Sequence, residues 1–459
     1  MLLAKHKNQK CSSNPLLQNN RNHYFLVTQK ITMKCIQCGT DNKLKDRTNN
    51  QGRCIKCQHP FVFEPTNKDD EKMTDPMFAK AIADISANNT LFFTPKQFFY
   101  FLDNRVKGKR ISGSGWLVQY LVFNVLAIFF TGSSLSALFQ VNLVVQVWFI
   151  YKIYQDTKSS LINQHQRKQN AQTLRLIGFI ILVAGISASL FVFHSFILFV
   201  IYILLGMLSI YLGFRQLNQS GVLQESLIRQ EQVQGWLNRW QQINGSITKI
   251  LPSPQEQSTP IAINPDVTAY SFDRLVVCDS AVIAQMLIAN NFHFENNCAI
   301  LSITGYPQNI FDTTMQMLRR NPDLTVYALH DCSPKGVSLV NDLRTNPSWF
   351  LNSHVTIIDI GLLPRQIIAA SRAMFIQSSP ESANDAKQLA PEIRSPLSAE
   401  ELGWLESGNF LELESFTPKK LIQILNRGIA KSRTLDSDDS TLILVDDTGS
   451  SMYVSESFG

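Results

Sequence analysis

The sequence predicts a multidomain membrane protein with three parts: a small cysteine-ligated metal module, four transmembrane α-helices in two hairpins, and a C-terminal α/β domain with a mainly parallel sheet. Three observations predict it. Two Cys-x-x-Cys pairs lie close together near the N-terminus, two long stretches in the middle carry no Asp, Glu, Lys or Arg, and short β-rich runs alternate with helical ones after residue 270. The 459 residues are 45% hydrophobic and 17% charged, which excludes overall disorder and suits several parts better than one compact domain. A net charge of +6 suits an anionic lipid surface or nucleic acid without selecting between them.

Residues 1–32 are polar and aperiodic and lack the apolar core of a secretory signal, so a disordered N-terminal extension is expected. Met33 stands directly before the first organised motif, which leaves Met1 and Met33 as alternative translation starts. Cys35-x-x-Cys38 and Cys54-x-x-Cys57 follow, separated by 15 residues. Each pair presents two thiolates to one ion, and two pairs complete a tetrahedral sulfur set suited to Zn²⁺. Gly39 supplies the tight turn after the first pair. Residues 33–65 resemble a zinc ribbon, which implies a structural zinc stapling a module too short to bury its own core. Four protein thiolates leave no open coordination position for catalysis, and close cysteine pairs point to a reducing compartment.

Residues 69–110 read as a helical connector. Thr94 can cap, Pro95 fits the first turn and Gln97 can reach back. The aromatic run Phe98, Phe99, Tyr100, Phe101 leads into Arg105, Lys107, Lys109 and Arg110, read as the cytoplasmic flank of a membrane helix.

Residues 116–151 and 176–214 contain no Asp, Glu, Lys or Arg. Thr131-Gly132-Ser133-Ser134 divides the first stretch and His194-Ser195 the second, giving two hairpins whose arms approach the ~20 residues that cross hydrocarbon. Lys152, Lys158, Arg167, Lys168 and Arg175 fall between the hairpins and Arg215 follows the second, while the tight turns carry no basic residue. That asymmetry predicts a multi-pass integral membrane protein with both termini cytoplasmic. Gln119, Asn124, Gln140, Asn142, Gln146 and His194 are assigned to interhelical hydrogen bonding rather than transport, because no intramembrane carboxylate or lysine accompanies them. Residues 215–265 read as an amphipathic helix followed by a Pro-rich linker; Trp236 and Trp240 share one face that suits the lipid interface or the next domain equally.

The runs FDRLVVC, CAILSIT, LTVYALH and VTIIDI are candidate strands, with candidate helices at 279–290, 309–320 and 335–346 between them. In parallel sheets the strand carboxyl ends hold the chemistry. Here they carry Cys278-Asp279, Thr304-Gly305-Tyr306-Pro307 and His330-Asp331-Cys332-Ser333-Pro334-Lys335-Gly336. The order VVCDSAVIAQML, LSITGYP, VYALHDCSPKG resembles the Toprim domain of the topoisomerase VI A subunit and meiotic recombination nuclease family, over residues 271–345. The resemblance implies Mg²⁺-dependent cleavage of a DNA phosphodiester, with the metal held by a Glu after the first strand and an Asp-x-Asp pair after the third. In this chain Cys278 takes the Glu position, Asp331 keeps the first Asp and Ser333 replaces the second. Neither a thiol nor a hydroxyl replaces a carboxylate well around Mg²⁺. Asp279 is the nearest substitute, but adjacent strand residues face opposite ways, and Glu412 and Glu414 are further candidates. The domain is expected over 266–433, before an acidic, Ser-rich tail at 434–459 that is read as solvated, although TLILVDD within it could add an edge strand or bind in trans.

These readings give a membrane-anchored, cytoplasm-facing binding or scaffolding protein with a structural zinc site and an inactive Toprim-like domain. Its expected partners are membrane lipid and an unidentified protein, with nucleic acid unproven. The alternative is a membrane-tethered, Mg²⁺-dependent phosphodiester-cleaving enzyme using Asp331 and Asp279.

Overall fold

The computed structural model describes residues 32–63, 73–107, 113–131, 135–158, 164–191, 194–217, 226–254, 272–308, 311–321, 323–369 and 374–432. The expected N-terminal extension, most of the Pro-rich linker and the acidic tail lie outside these residues. The chain divides into two compact units, residues 1–79 and 80–459.

In the first unit, β1 (Met33–Lys34) pairs antiparallel with β2 (Asp41–Asn42), and α1 (Leu44–Asn49) follows. The core is small: Met33, Cys35, Cys54 and Phe61 are buried together, and the Arg47 guanidinium lies 5.5 Å from the Phe61 ring. α2 (Asp75–Ile85) starts in this unit. Its Asp75 carboxylate accepts the backbone N–H groups of Val62 and Phe63 at 3.1 and 3.0 Å, and Phe63 packs on Phe78. Burial pushes the Asp75 carboxyl up to about 6, against the lowering by those two N–H groups.

In the second unit, α3 (Pro95–Lys107) begins with the box read from the sequence: Thr94 Oγ1 accepts the Gln97 N–H and Gln97 Oε1 accepts the Thr94 N–H, each at 3.0 Å. Gln97, Phe98, Phe99, Tyr100, Leu102 and Val106 of this helix are buried. Of the basic flank, Arg105 and Lys107 fall within the described residues. Lys107 is fully buried and pairs with Asp103 at 2.6 Å, and Arg105 pairs with Asp84 at 2.6 Å. Asp103 Oδ1 also accepts the N–H groups of Leu227 and Ile228, at 2.7 and 3.2 Å. A charge buried this deeply is tolerable only when its partners are complete.

Four helices come between these points: α4 (Gly113–Thr131), α5 (Leu135–Lys158), α6 (Gln164–Phe191) and α7 (Phe196–Leu217). Two stretches, Arg167–Phe191 and Phe196–Leu217, are long and apolar enough to cross a membrane, and α4 contributes a shorter apolar stretch at Gly115–Leu126. Trp116, Phe149, Ile153, Leu174 and Ile177 are among the residues of a buried apolar core between these helices, and large apolar side chains also cover their outer faces. Val125, Val144, Phe179, Ile197 and Leu204 face outward, whereas Asn124, Asn142 and Gln146 bond inward. Tyr120 Oη donates to Gln146 Oε1 at 2.7 Å, Gln146 Nε2 to Asn124 Oδ1 at 2.8 Å, and Tyr202 Oη to Asn142 Oδ1 at 3.3 Å. Small residues bring α6 and α7 close: a Cβ on Gly178 would come within 2.9 Å of the Gly206 carbonyl oxygen, and Ser209 Oγ donates to Leu174 O at 2.7 Å.

α8 (Gln230–Asn244) returns against α3 with Val233, Trp236, Leu237 and Trp240 buried, so its tryptophan face is packed on protein and not laid on lipid.

The sheet then forms from β3 (Arg274–Cys278), β4 (Cys298–Ser302), β5 (Thr325–Leu329) and β6 (Thr356–Asp359), all parallel in the order β4-β3-β5-β6. These strands lie within the four runs read as strands. Connecting helices are α9 (Ala281–Ala289), α10 (Phe292–Asn296), α11 (Phe311–Leu318), α12 (Pro334–Val337) and α13 (Leu339–Thr345). Leu275, Val277, Leu301, Val326 and Ala328 pack on Met315, Leu318, Leu343, Trp349 and Phe350 to make the core. Beyond the sheet come α14 (Pro364–Ala369), β7 (Gln377–Ser378), α15 (Pro380–Lys387), α16 (Pro391–Arg394), α17 (Ala399–Glu406), β8 (Asn409–Phe410) and α18 (Pro418–Ser432), with β7 and β8 antiparallel. Residues 380–406 thus contribute three helices to the domain.

Candidate metal centre and strand-end acid cluster

The two cysteine knuckles share one construction. Cys35 and Cys54 accept the N–H groups of Gly39 and Gln58 at 2.8 and 3.0 Å, and donate their own N–H groups to Thr40 O and His59 O at 3.0 and 2.9 Å. Each turn needs a left-handed residue, and these are Gly39 at φ 71° and Gln58 at φ 60°. The glycine was legible in the sequence; the glutamine was not. The four Sγ atoms lie within 4.8 Å of one another, with Cys35 to Cys57 at 3.6 Å and Cys38 to Cys54 at 3.5 Å. Tetrahedral zinc with Zn–S bonds of about 2.3 Å requires sulfurs roughly 3.8 Å apart, so the donor set fits that ion. The surrounding groups suit thiolates: Asn42 Nδ2 donates to Cys54 Sγ at 3.6 Å and Thr40 Oγ1 lies 3.3 Å from Cys38 Sγ. Cys35, Cys38, Cys54 and Cys57 are thus brought together as the spacing predicts.

At the carboxyl ends of β3 and β5 the structure places the other predicted residues. Cys278 ends β3 fully buried, and burial together with the neighbouring Asp279 pushes its thiol well up. Cys332 is likewise buried and raised, by burial and by Asp331. Both remain protonated thiols, the opposite of an activated nucleophile. Ser333 caps α12, its Oγ accepting the Gly336 N–H at 3.0 Å.

Asp279 directly follows β3, and its N–H donates to Leu329 O at 3.0 Å. Its Oδ2 accepts the Asp331 N–H at 2.7 Å, while its buried Oδ1 has no hydrogen-bond partner among the described residues. Asp331 Oδ1 accepts the Leu413 N–H at 2.6 Å. Burial raises both carboxyls; Asp279 adds to the rise at Asp331, and the Asp331 N–H partly offsets it at Asp279. Glu412 and Glu414 complete the acidic surroundings, but α3 holds them. Glu412 pairs with Lys96 at 2.6 Å and accepts from Tyr100 Oη, and Glu414 accepts from Thr94 Oγ1 at 2.7 Å. Burial raises the Glu414 carboxyl, opposed by Thr94 and Lys96. Gln377 Nε2 donates to the same Tyr100 hydroxyl.

His330 is fully buried behind this cluster, its ring so close to Gly361 that any Cβ there would overlap it. Burial opposes its charging, yet Asp359 Oδ1 at 3.0 Å from Nε2 and Asp331 O at 2.8 Å from Nδ1 give both ring nitrogens acceptors, and the group is pushed up to about 9. Sequence reading missed Thr94, Lys96, Tyr100 and Asp359 as members of this site. Thr94, Lys96 and Tyr100 lie more than 300 residues from their glutamate partners, a separation that leaves no local signal.

Among the described residues, the four N-terminal thiols are the one group of three or more Cys, His or carboxylate donors close enough to share an ion. Comparison of the chain with protein-family models and with curated proteins gives no match.

Proposed function

We propose that this protein is a membrane-anchored, cytoplasm-facing binding or scaffolding protein with a zinc-stapled N-terminal module and a Toprim-like domain that performs no cleavage. One observation carries the second half of this reading: the strand-end carboxylates are occupied as fasteners. Asp331 holds Leu413, Asp279 holds Asp331, and Glu412 and Glu414 hold α3 through Lys96, Tyr100 and Thr94. Carboxylates spent this way bind backbone and ammonium groups instead of Mg²⁺, and Cys278 and Ser333 supply no replacement.

The anchor reading extends the two membrane-length helices to four, in two hairpins. Support comes from the outward-facing apolar side chains of α4 and α5, and from the polar network that closes between them. The cytoplasmic orientation of both termini is supported by charge: Lys152, Lys158, Arg167, Lys168 and Arg175 fall between the two hairpins and Arg215 follows the second, while the tight turns carry no basic residue.

A second reading rests on Asp279 Oδ1, a buried carboxylate oxygen with no bond to spend. In it, Asp279 and Asp331 act with Mg²⁺ on a phosphodiester at the membrane. The test is Mn²⁺ binding and cleavage of labelled DNA by the full chain in lipid nanodiscs, with Asp331→Ala beside it. The scaffolding reading expects neither activity from wild type. Metal-dependent cleavage that disappears in Asp331→Ala overturns it in favour of the enzyme.

A further inference from the structure

β6 is the open edge of the sheet. β5 pairs with it on one side, and among the described residues no strand pairs with it on the other. The opposite edge is different: every residue of β4 is buried, and α9 and α10 pack against it. Ile360 and Leu362 donate their N–H groups to Ala328 O and His330 O of the β5 side. By alternation along a strand, the backbone groups of Ile357 and Asp359 therefore point outward from the edge. Thr356 and Asp359 are exposed, and Ile357 and Ile358 are only partly covered, although a parallel sheet ordinarily buries such residues. A free edge of this kind is a template for another extended segment.

We propose that residues 441–445 of this same chain, Thr-Leu-Ile-Leu-Val, add to β6 as an antiparallel fifth strand. The position at which the described chain ends carries the argument. In α18, Gly428 lies beside Ile360, its Cβ position 3.6 Å from Ile360 Cγ2, and Ser432 is one helical turn farther on, about 6 Å. The tail thus departs close to the carboxyl end of β6. Residues 433–440 can span about 27 Å when extended, which reaches that end with slack. Running forward alongside β6 would require the tail to cross the strand's length first, about 13 Å, so the reversed direction is the economical one. The segment itself is the one β-branched and leucine-rich run after α18. In the reversed direction Asp446 and Asp447 fall near His354, two residues before the strand. Main-chain bonds would supply the affinity, and the half-covered isoleucines the apolar seat.

The test is hydrogen exchange on the full chain in lipid nanodiscs, compared with a chain ending at Arg433. The peptide covering residues 355–361 is expected to exchange about tenfold faster in the shortened chain, with the β5 peptide unchanged. Ile443→Pro in the full-length chain removes one donor without removing the tail, and is expected to give the same acceleration. Equal exchange at 355–361 in all three proteins overturns the proposal. Protection that grows with protein concentration and accompanies a dimer also overturns it, assigning the edge to a second copy's tail.

Discussion

Asp331 Oδ1 accepts the backbone N–H of Leu413 at 2.6 Å, joining the end of β5 to a segment 82 residues later. The bond makes Asp331 a structural acceptor whatever else it does. Asp331→Ala leaves the Leu413 N–H without its partner and is expected to cost about 1–3 kcal/mol. Asp331→Asn keeps an acceptor and removes a charge opposed to Asp279, so it is expected to cost much less. Thermal unfolding of the three proteins in the same nanodiscs decides it. Equal melting of wild type and Asp331→Ala would mean that the bond contributes nothing.

Zinc content is expected to be one ion per chain. Cys54→Ser, or a chelator, is expected to release it and to unfold residues 33–63, because the core there is only a few side chains around the cysteines. Metal analysis and hydrogen exchange check both halves of this statement. Unchanged protection after complete zinc removal would show that the module folds without the ion.

Asp75 gives a pH dependence whose sign is fixed by its burial. Its carboxyl is raised from 3.8 to about 6, with the N–H groups of Val62 and Phe63 and the charges of His59 and Arg47 working against the rise. Its contribution to stability is therefore complete below about pH 4 and is lost as the pH rises through about 6. Asp75→Asn removes that titration. The stability of Asp75→Asn relative to wild type is expected to improve by on the order of 2–3 kcal/mol between pH 4 and 7, while zinc release affects both proteins alike. A constant difference across that range would contradict the assignment.

The α6–α7 contact predicts a sharp asymmetry between two neighbouring residues. Gly178→Val would push a side chain against the Gly206 carbonyl oxygen and is expected to destabilise the bundle by about 1–3 kcal/mol. Phe179→Ala, on the outward face, is expected to change little. Unfolding measured in nanodiscs separates them. Similar losses in both would place Phe179 in a protein contact.

Much of the fold was legible because its signals are local. The four strands are short apolar runs, Thr94 and Gln97 form their box, and the cysteine spacing fixes a four-sulfur cluster. What stayed hidden depends on distant partners. The aromatic run of α3 looks the same beside a membrane or inside a core; only the bonds from Tyr100 and Lys96 to Glu412 distinguish them. Trp236 and Trp240 share one face in either setting, and burial beside α3 decides between them. The bond from the Asp331 N–H to Asp279 joins residues 52 apart, which no local pattern announces.

The carboxylate of Asp103 binds Leu227 and Ile228, so the chain returns from the helical bundle to nearly the point at which it left. In architectural terms the bundle is an insertion into a domain that begins before it and ends after it. A short bridge from residue 107 to residue 226 should therefore excise the bundle and leave a folded domain with both halves of its clasp. During synthesis the order is reversed: α3 emerges first, and its aromatic face must wait through four helices before its partners exist.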